Sequence, residues 1–154
     1  MKTNALLSAL LIFAGLFFCS CNGKEKTGKV ALQFKFNVDD EELIFHDKTY
    51  LNAAGTLYQV DELKFFISEV VFYHKEGKTI HIIDHNGIHY ADNAIQSTLL
   101  WNIKDLLTVG EYNAVAFTFG LSHDDNVDGK FVNAPESNMA WSPELGGGYH
   151  YMQL

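Results

Sequence analysis

The stretch "LKFFISEVVFYHKEGKTIHIIDHNGIHY" (63–90) decides how the rest of the chain is read. Runs rich in β-branched and aromatic residues are interrupted at Glu76-Gly77 and again at Asn86-Gly87. Such runs suit a pleated, half-buried backbone, and a small turn-forming pair between them reverses the chain. A meander of hairpins is predicted. Upstream, "VALQFKFNV" (30–38) alternates Val30, Leu32, Phe34, Phe36 and Val38 with mostly polar neighbours, and "DDEEL" follows as a solvated turn. Downstream, "EYNAVAFTFGLS" (111–122) is a further strand, with Val115, Phe117 and Phe119 on one face. "IQSTLLWNIKDLL" (95–107) admits two readings, a short helix or a turn plus strand. Gly-centred turns and two late prolines complete an all-β pattern. The fold predicted is an antiparallel β-sandwich, immunoglobulin-like in general architecture.

The front of the chain does not belong to that domain. "MKTNALLSALLIFAGLFFCSC" has a lysine at position 2, an apolar run from Ala5 to Phe18 and small residues beside Cys21. The run is short for a bilayer span of about 20 residues, and the pattern is that of a secretory signal. Ser20 directly before Cys21 resembles a bacterial lipoprotein signal, in which that thiol carries a diacylglycerol. Cys19 is the poorer candidate, because bulky Phe18 precedes it. Residues 1–20 are then a signal peptide, 21–29 a charged tether and 30–154 the β domain. That domain contains no cysteine, so packing alone must hold its core.

A net charge of −8 and the absence of any arginine exclude nucleic acid as a partner, which would need a basic footprint. No phosphate loop, nucleophile elbow or H-E-x-x-H occurs, and the chain is read as a non-enzyme. Seven histidines invite a metal reading. His81, His85 and His89 recur every fourth residue, which would align them on a helix, but β-branched residues and Asn86-Gly87 argue for a hairpin. A two-residue turn there puts His81 and His85 on one face and His89 on the other. "DDNVDG" (124–129) supplies Asp124, Asn126, Asp128 and Gly129 at the first positions of a calcium loop, yet Pro135 occupies the twelfth. An ordinary acidic turn is the better reading.

The chain closes on "NMAWSPELGGGYHYMQL" (138–154), which gathers Met139, Trp141, His150 and Met152 around a glycine triplet. Thioether and imidazole together suit copper, above all Cu(I). The alternative is that Met139 and Trp141 are core residues and the glycines merely fold the chain back.

Taken in order, "LQFKFNV", "YLNAAGTLYQVDELKFFISEVVFY", "IHYAD", "GEYNAVAFTFGLSHDDN" and "NMAWSPELGGGYHYMQL" resemble the MbnP-like family of extracytoplasmic proteins. The resemblance implies a β-sandwich that binds copper through histidines. In some members a tryptophan is oxidised to kynurenine by a di-haem partner of the peroxidase type. Trp141 lies in the family's Met-x-Trp motif, and His89 and His150 lie in matching segments. Members of the family continue past the Gly-Tyr segment, so this chain resembles a copy shortened at its C-terminus, with one sheet face incompletely covered.

The expected protein is a cell-envelope lipoprotein, held to a bacterial membrane through Cys21, that binds or handles copper. His89 and His150 are the expected imidazole ligands, Met139 or Met152 a soft third ligand, and Trp141 the oxidisable residue. The alternative is a structural or interaction module of the cell surface without metal.

Overall fold

The computed structural model describes residues 25–154. The expected signal peptide (1–20) and lipidated Cys21 lie outside the described residues. The described residues form eleven strands: β1 (Thr27–Gln33), β2 (Asn37–Val38), β3 (Glu41–Glu42), β4 (Thr49–Leu51), β5 (Leu57–Gln59), β6 (Lys64–His74), β7 (Thr79–His81), β8 (His89–Asp92), β9 (Leu100–Thr108), β10 (Tyr112–Phe119) and β11 (Met152–Gln153). Four short 3-10 turns connect them, at Asp84–Gly87, Gln96–Leu99, Glu136–Met139 and Pro143–Leu145. The chain is all-β, as its alternation predicts.

β6 is the spine. Its 11 residues "KFFISEVVFYH" are buried on both faces except at Glu69 and Tyr73, which explains the near-continuous apolar run. Along one edge it pairs with β7 through Val71–Tyr73 and with β8 through Lys64–Ile67. Along the other it pairs with β10 and, further on, with β11. A second sheet, β1 against β9, packs on this one. Val30, Leu32, Phe34 and Phe36 from the first alternating segment meet Phe65, Ile67, Phe72, Trp101, Ile103 and Leu107 in the core between the sheets. Each fully buried side chain of this kind contributes about 1.5–3 kcal/mol relative to exposure. Two small hairpins, β2–β3 and β4–β5, carry the satellite cluster of Leu43, Tyr50 and Val60.

Three local predictions meet the structure differently. Residues 95–107 resolve to turn plus strand, because Trp101, Ile103 and Leu107 keep a period of two and bury one face. Val30 to Val38 are half-buried in alternation, although the strand ladder breaks between Gln33 and Asn37. The Asn86-Gly87 hairpin does not form: β7 and β8 both pair with β6 rather than with each other. The cause lies on β9. The Asp105 carboxylate accepts the Ile83 and Asp84 N–H groups at 3.0 and 2.7 Å, and Asp84 accepts the Lys104 N–H at 3.1 Å. These bonds draw the connection away from the sheet edge into a tight turn with His85 (φ 52°), Asn86 (59°) and Gly87 (71°) all left-handed.

On β10, Val115, Phe117 and Phe119 are 45%, 56% and 47% exposed. β10 is an edge strand with two register shifts against β6.

Candidate functional site

The closing segment is built as a folded-back loop. The Trp141 N–H donates to the Gly148 carbonyl and the His150 N–H to the Met139 carbonyl, both at 2.8 Å. Gly147 and Gly148 make the reversal with φ of 72° and 79°, a region that side chains rarely tolerate. The reversal brings Trp141 and His150 together, with ring centroids 4.3 Å apart and planes at 76°. The indole N–H donates to the Leu145 carbonyl at 3.0 Å, which fixes the ring. His150 is half-buried, and Trp141 is 38% exposed, so solvent species reach the pair.

The acidic loop that looks like half a calcium site has a different use. Asn126 Oδ1 accepts the Tyr149 N–H at 2.6 Å, and Asp128 Oδ1 accepts the Gly148 N–H. A Cβ at Gly147 would lie 2.5–2.6 Å from both Asp128 oxygens, so only glycine lets the carboxylate approach this backbone. The loop clamps the C-terminal reversal and thereby sets the Trp141–His150 contact. Sequence motif reading offers no sign of this, since both partners of each bond are about twenty residues apart.

His89 stands elsewhere. Its ring stacks with Phe34 (5.6 Å, 14°) and with Trp101 (4.8 Å, 6°). Its Nε2 lies 2.7 Å from the Thr98 carbonyl oxygen, which can only accept. Nε2 therefore carries the proton and Nδ1 keeps its lone pair. Burial lowers the pKa of this imidazole below its ordinary value, so the neutral form is favoured. Among the described residues the buried side-chain nitrogen or oxygen left without a partner is His74 Nε2. His89 lines a cavity of about 430 Å³ together with His85, Glu136 and the apolar side chains of Phe66, Ile88 and Phe131.

The structure thus divides the expected ligands. β8 and the 149–153 segment flank β6 on opposite edges, with the Phe66 ring packed against both Tyr90 and Tyr149 between them. His89 engages Trp101, and His150 engages Trp141. The two imidazoles are not brought into one first shell. Met139 is wholly buried, in one cluster with Phe66, Ile88, Tyr90 and Tyr149, and its sulfur fills core space as the packing alternative has it. Met152 leans on the inter-sheet core beside Phe65. Among the described residues no three His, Cys, Asp or Glu side chains stand together as a ready metal cage.

A family model described as MbnP matches residues 27–154, nearly the whole of the described chain. The chain belongs to the MbnP family. No curated protein and no solved structure matches it. Within this MbnP domain the matched region takes in both histidine–tryptophan contacts and the acidic clamp. It also contains a feature that the sequence reading missed, the cavity lined by His85, His89 and Glu136. Glu136 could not be found by spacing, because it stands 47 residues beyond His89.

Proposed function

We propose that this MbnP-family chain is a lipoprotein of the bacterial cell envelope, anchored through Cys21, that binds and handles copper without catalysing a reaction. The observation that carries the reading is the contact between Trp141 and His150 at 4.3 Å, held from behind by the Asn126–Asp128 clamp. A half-buried imidazole beside the edge or face of an indole fits a soft, low-coordinate ion such as Cu(I). His150 would hold the ion, and Trp141 would face it. Copper supplies redox-active, thiophilic and imidazole-seeking chemistry when bound; the chain supplies position. Because Trp141 is 38% exposed, a di-haem partner of the peroxidase type would be able to reach it from solution.

Cu(I) titration of the full-length protein, followed by competition with a chromophoric chelator, tests the reading. His150→Ala is expected to weaken binding at least tenfold, and Trp141→Leu severalfold. Equal affinity in all three proteins sinks the copper reading at this place. A second reading, an interaction module without metal, is supported by the half-exposed Val115, Phe117 and Phe119 on β10. It would take over if no variant, wild type included, bound copper.

The anchor has its own check. Mass spectrometry of the mature protein is expected to find an N-terminal Cys21 carrying a diacylglycerol, motivated by the apolar run that ends at "CSC". Any unmodified residue other than Cys21 at that terminus overturns it.

A further inference from the structure

β10 joins β6 along one edge, and among the described residues no other strand lies along its second edge. Native sheets blunt such an edge with a charge, a proline or a bulge, because its unpaired N–H and C=O groups accept another strand. From Ala114 to Phe119 β10 has no charge and no proline. The register shift between Ala116 and Thr118 is absorbed on β6, where the partners step from Val71 to Ser68 and Glu69 is left-handed (φ 52°). β10 itself stays regular there. Its side chains are also unusual for an edge. Val115, Phe117 and Phe119 are about half exposed, and Tyr151, 61% exposed, extends the row with its ring 6.3 Å from that of Phe119. Phe117 and Phe119 line an apolar groove of about 340 Å³ together with Phe34, Phe36, Phe65 and Met152. No charged residue occurs between Tyr112 and Ser122. The carboxylates that flank the strand are occupied, Glu111 by Lys75 and Glu69 by the Thr118 hydroxyl at 2.6 Å.

We propose that β10 is the contact of a symmetric dimer, in which a second copy of this chain pairs its own β10 antiparallel along the free edge. A two-fold contact needs a patch that complements itself, and the strand is self-complementary about Phe117. With Phe117 opposite its counterpart, Val115 of each subunit meets Phe119 of the other on one face. On the opposite face Ala116 meets Thr118 and Ala114 meets Gly120, so small side chains meet small ones. Side chains directly opposite each other stand about 4.5–5.5 Å apart in such a pair, which puts aromatic against aromatic at the centre. A register one residue away would turn the second apolar row to the other face. Each copy carries a net charge of −8, and an uncharged strand is where two such copies can touch without setting like charges opposite each other. A buried aromatic side chain covers about 150–250 Å², so the half-exposed row offers on the order of 400 Å² per subunit. That is about 800 Å² in all before the backbone is counted, against about 1,200 Å² for the smallest stable interfaces. The dimer is therefore weak and concentration-dependent. It rests on the geometry of the strand and not on the copper reading.

Sedimentation velocity of the full-length protein, without copper, is expected to show a monomer–dimer equilibrium with a Kd weaker than about 1 μM, as suits an interface of this size. Because each copy is acidic, added salt screens their repulsion and should tighten the dimer severalfold. Phe117→Lys sets two like charges against each other at the two-fold axis and is expected to abolish dimerisation. Cysteine trapping reads the register without relying on that variant. Under mild oxidation Phe117→Cys, which lies opposite itself, should form a covalent dimer far faster than Val115→Cys, whose counterpart lies four positions along the paired strand. Mixing Val115→Cys with Phe119→Cys should restore trapping. Cys19 and Cys21 are common to every variant, so their background is read from wild type treated alike. A protein that stays monomeric at every concentration leaves the edge to a different partner and overturns the inference. So does a Phe117→Lys dimer of wild-type strength, or equal trapping at Val115→Cys and Phe117→Cys.

Discussion

Phe66→Ala is expected to cost about 3–5 kcal/mol of unfolding free energy, the range for deleting a buried aromatic side chain from a core that cannot collapse around the gap. Phe66 is 0% exposed and lies on the central strand. Its ring meets Phe131 at 5.2 Å, Tyr90 at 5.5 Å and Tyr149 at 6.4 Å, so three separate segments lean on one side chain. Domains of this kind are stable by about 5–15 kcal/mol in total, so the loss is a large fraction of the whole. The His89–Trp101 and His150–Trp141 contacts should suffer together. Tyr90 follows His89 in β8, and Tyr149 precedes His150, so removing their common support loosens each histidine's backbone. Urea unfolding of wild type, Phe66→Leu and Phe66→Ala gives the measurement, with the leucine variant intermediate. A loss below about 1 kcal/mol for alanine would mean that the second cluster does not hold the domain together.

Gly110→Ala is expected to destabilise by about 1–3 kcal/mol, the cost of forcing an extra methyl group into occupied space. Changing an exposed glycine to alanine ordinarily stabilises by about 0.4–1 kcal/mol where the backbone allows it, through the unfolded chain. Gly110 is exposed, so the two arguments predict opposite signs. The local geometry decides between them. A Cβ there would lie 2.1 Å from His74 Nε2 and 2.8 Å from its Cε1. His74 has little room to yield: it is buried, its Nδ1 accepts the Glu76 N–H at 3.2 Å, and Tyr112 packs edge-on at 5.0 Å. Overpacking should therefore win. The double variant His74→Ser, Gly110→Ala is expected to recover part of the loss, with a coupling of about 0.5–3 kcal/mol typical of residues in contact. Strict additivity, or a more stable Gly110→Ala, would refute the contact.

The candidate chemistry was partly readable in advance. Met-x-Trp, the glycine triplet and His150 stand in one short segment, and their gathering in the sequence is matched by a gathering in space, because a three-glycine reversal is a local structure. Met139 shows the limit of that reading. Its sulfur counts as a soft ligand by type, yet four buried neighbours make it core. Residue chemistry tells what a side chain is able to do; burial decides whether it is free to do it.

What the sequence by itself determined is whatever depends on neighbours along the chain. The two-residue alternation from Val30 to Val38, the turn at Glu76-Gly77 and the doubly buried run of β6 follow from pleated backbone geometry, and so does the sandwich they imply. What only the tertiary structure decided is whatever depends on competition between distant groups for the same backbone hydrogen bonds. Asn86-Gly87 has the residues of a hairpin, but Asp105, 18 positions further on, offers the Ile83 and Asp84 N–H groups a charged acceptor that a hairpin partner cannot match. Asn126 and Asp128 have the residues of a calcium loop, but the N–H groups of Gly148 and Tyr149 take their oxygens first. The same long-range choices send His89 to Trp101 and Phe34, and His150 to Trp141. Spacing within a strand sets which way a histidine faces. Which strand it then meets is set by the hydrogen-bond ladder of β6, whose two edges keep these two histidines apart.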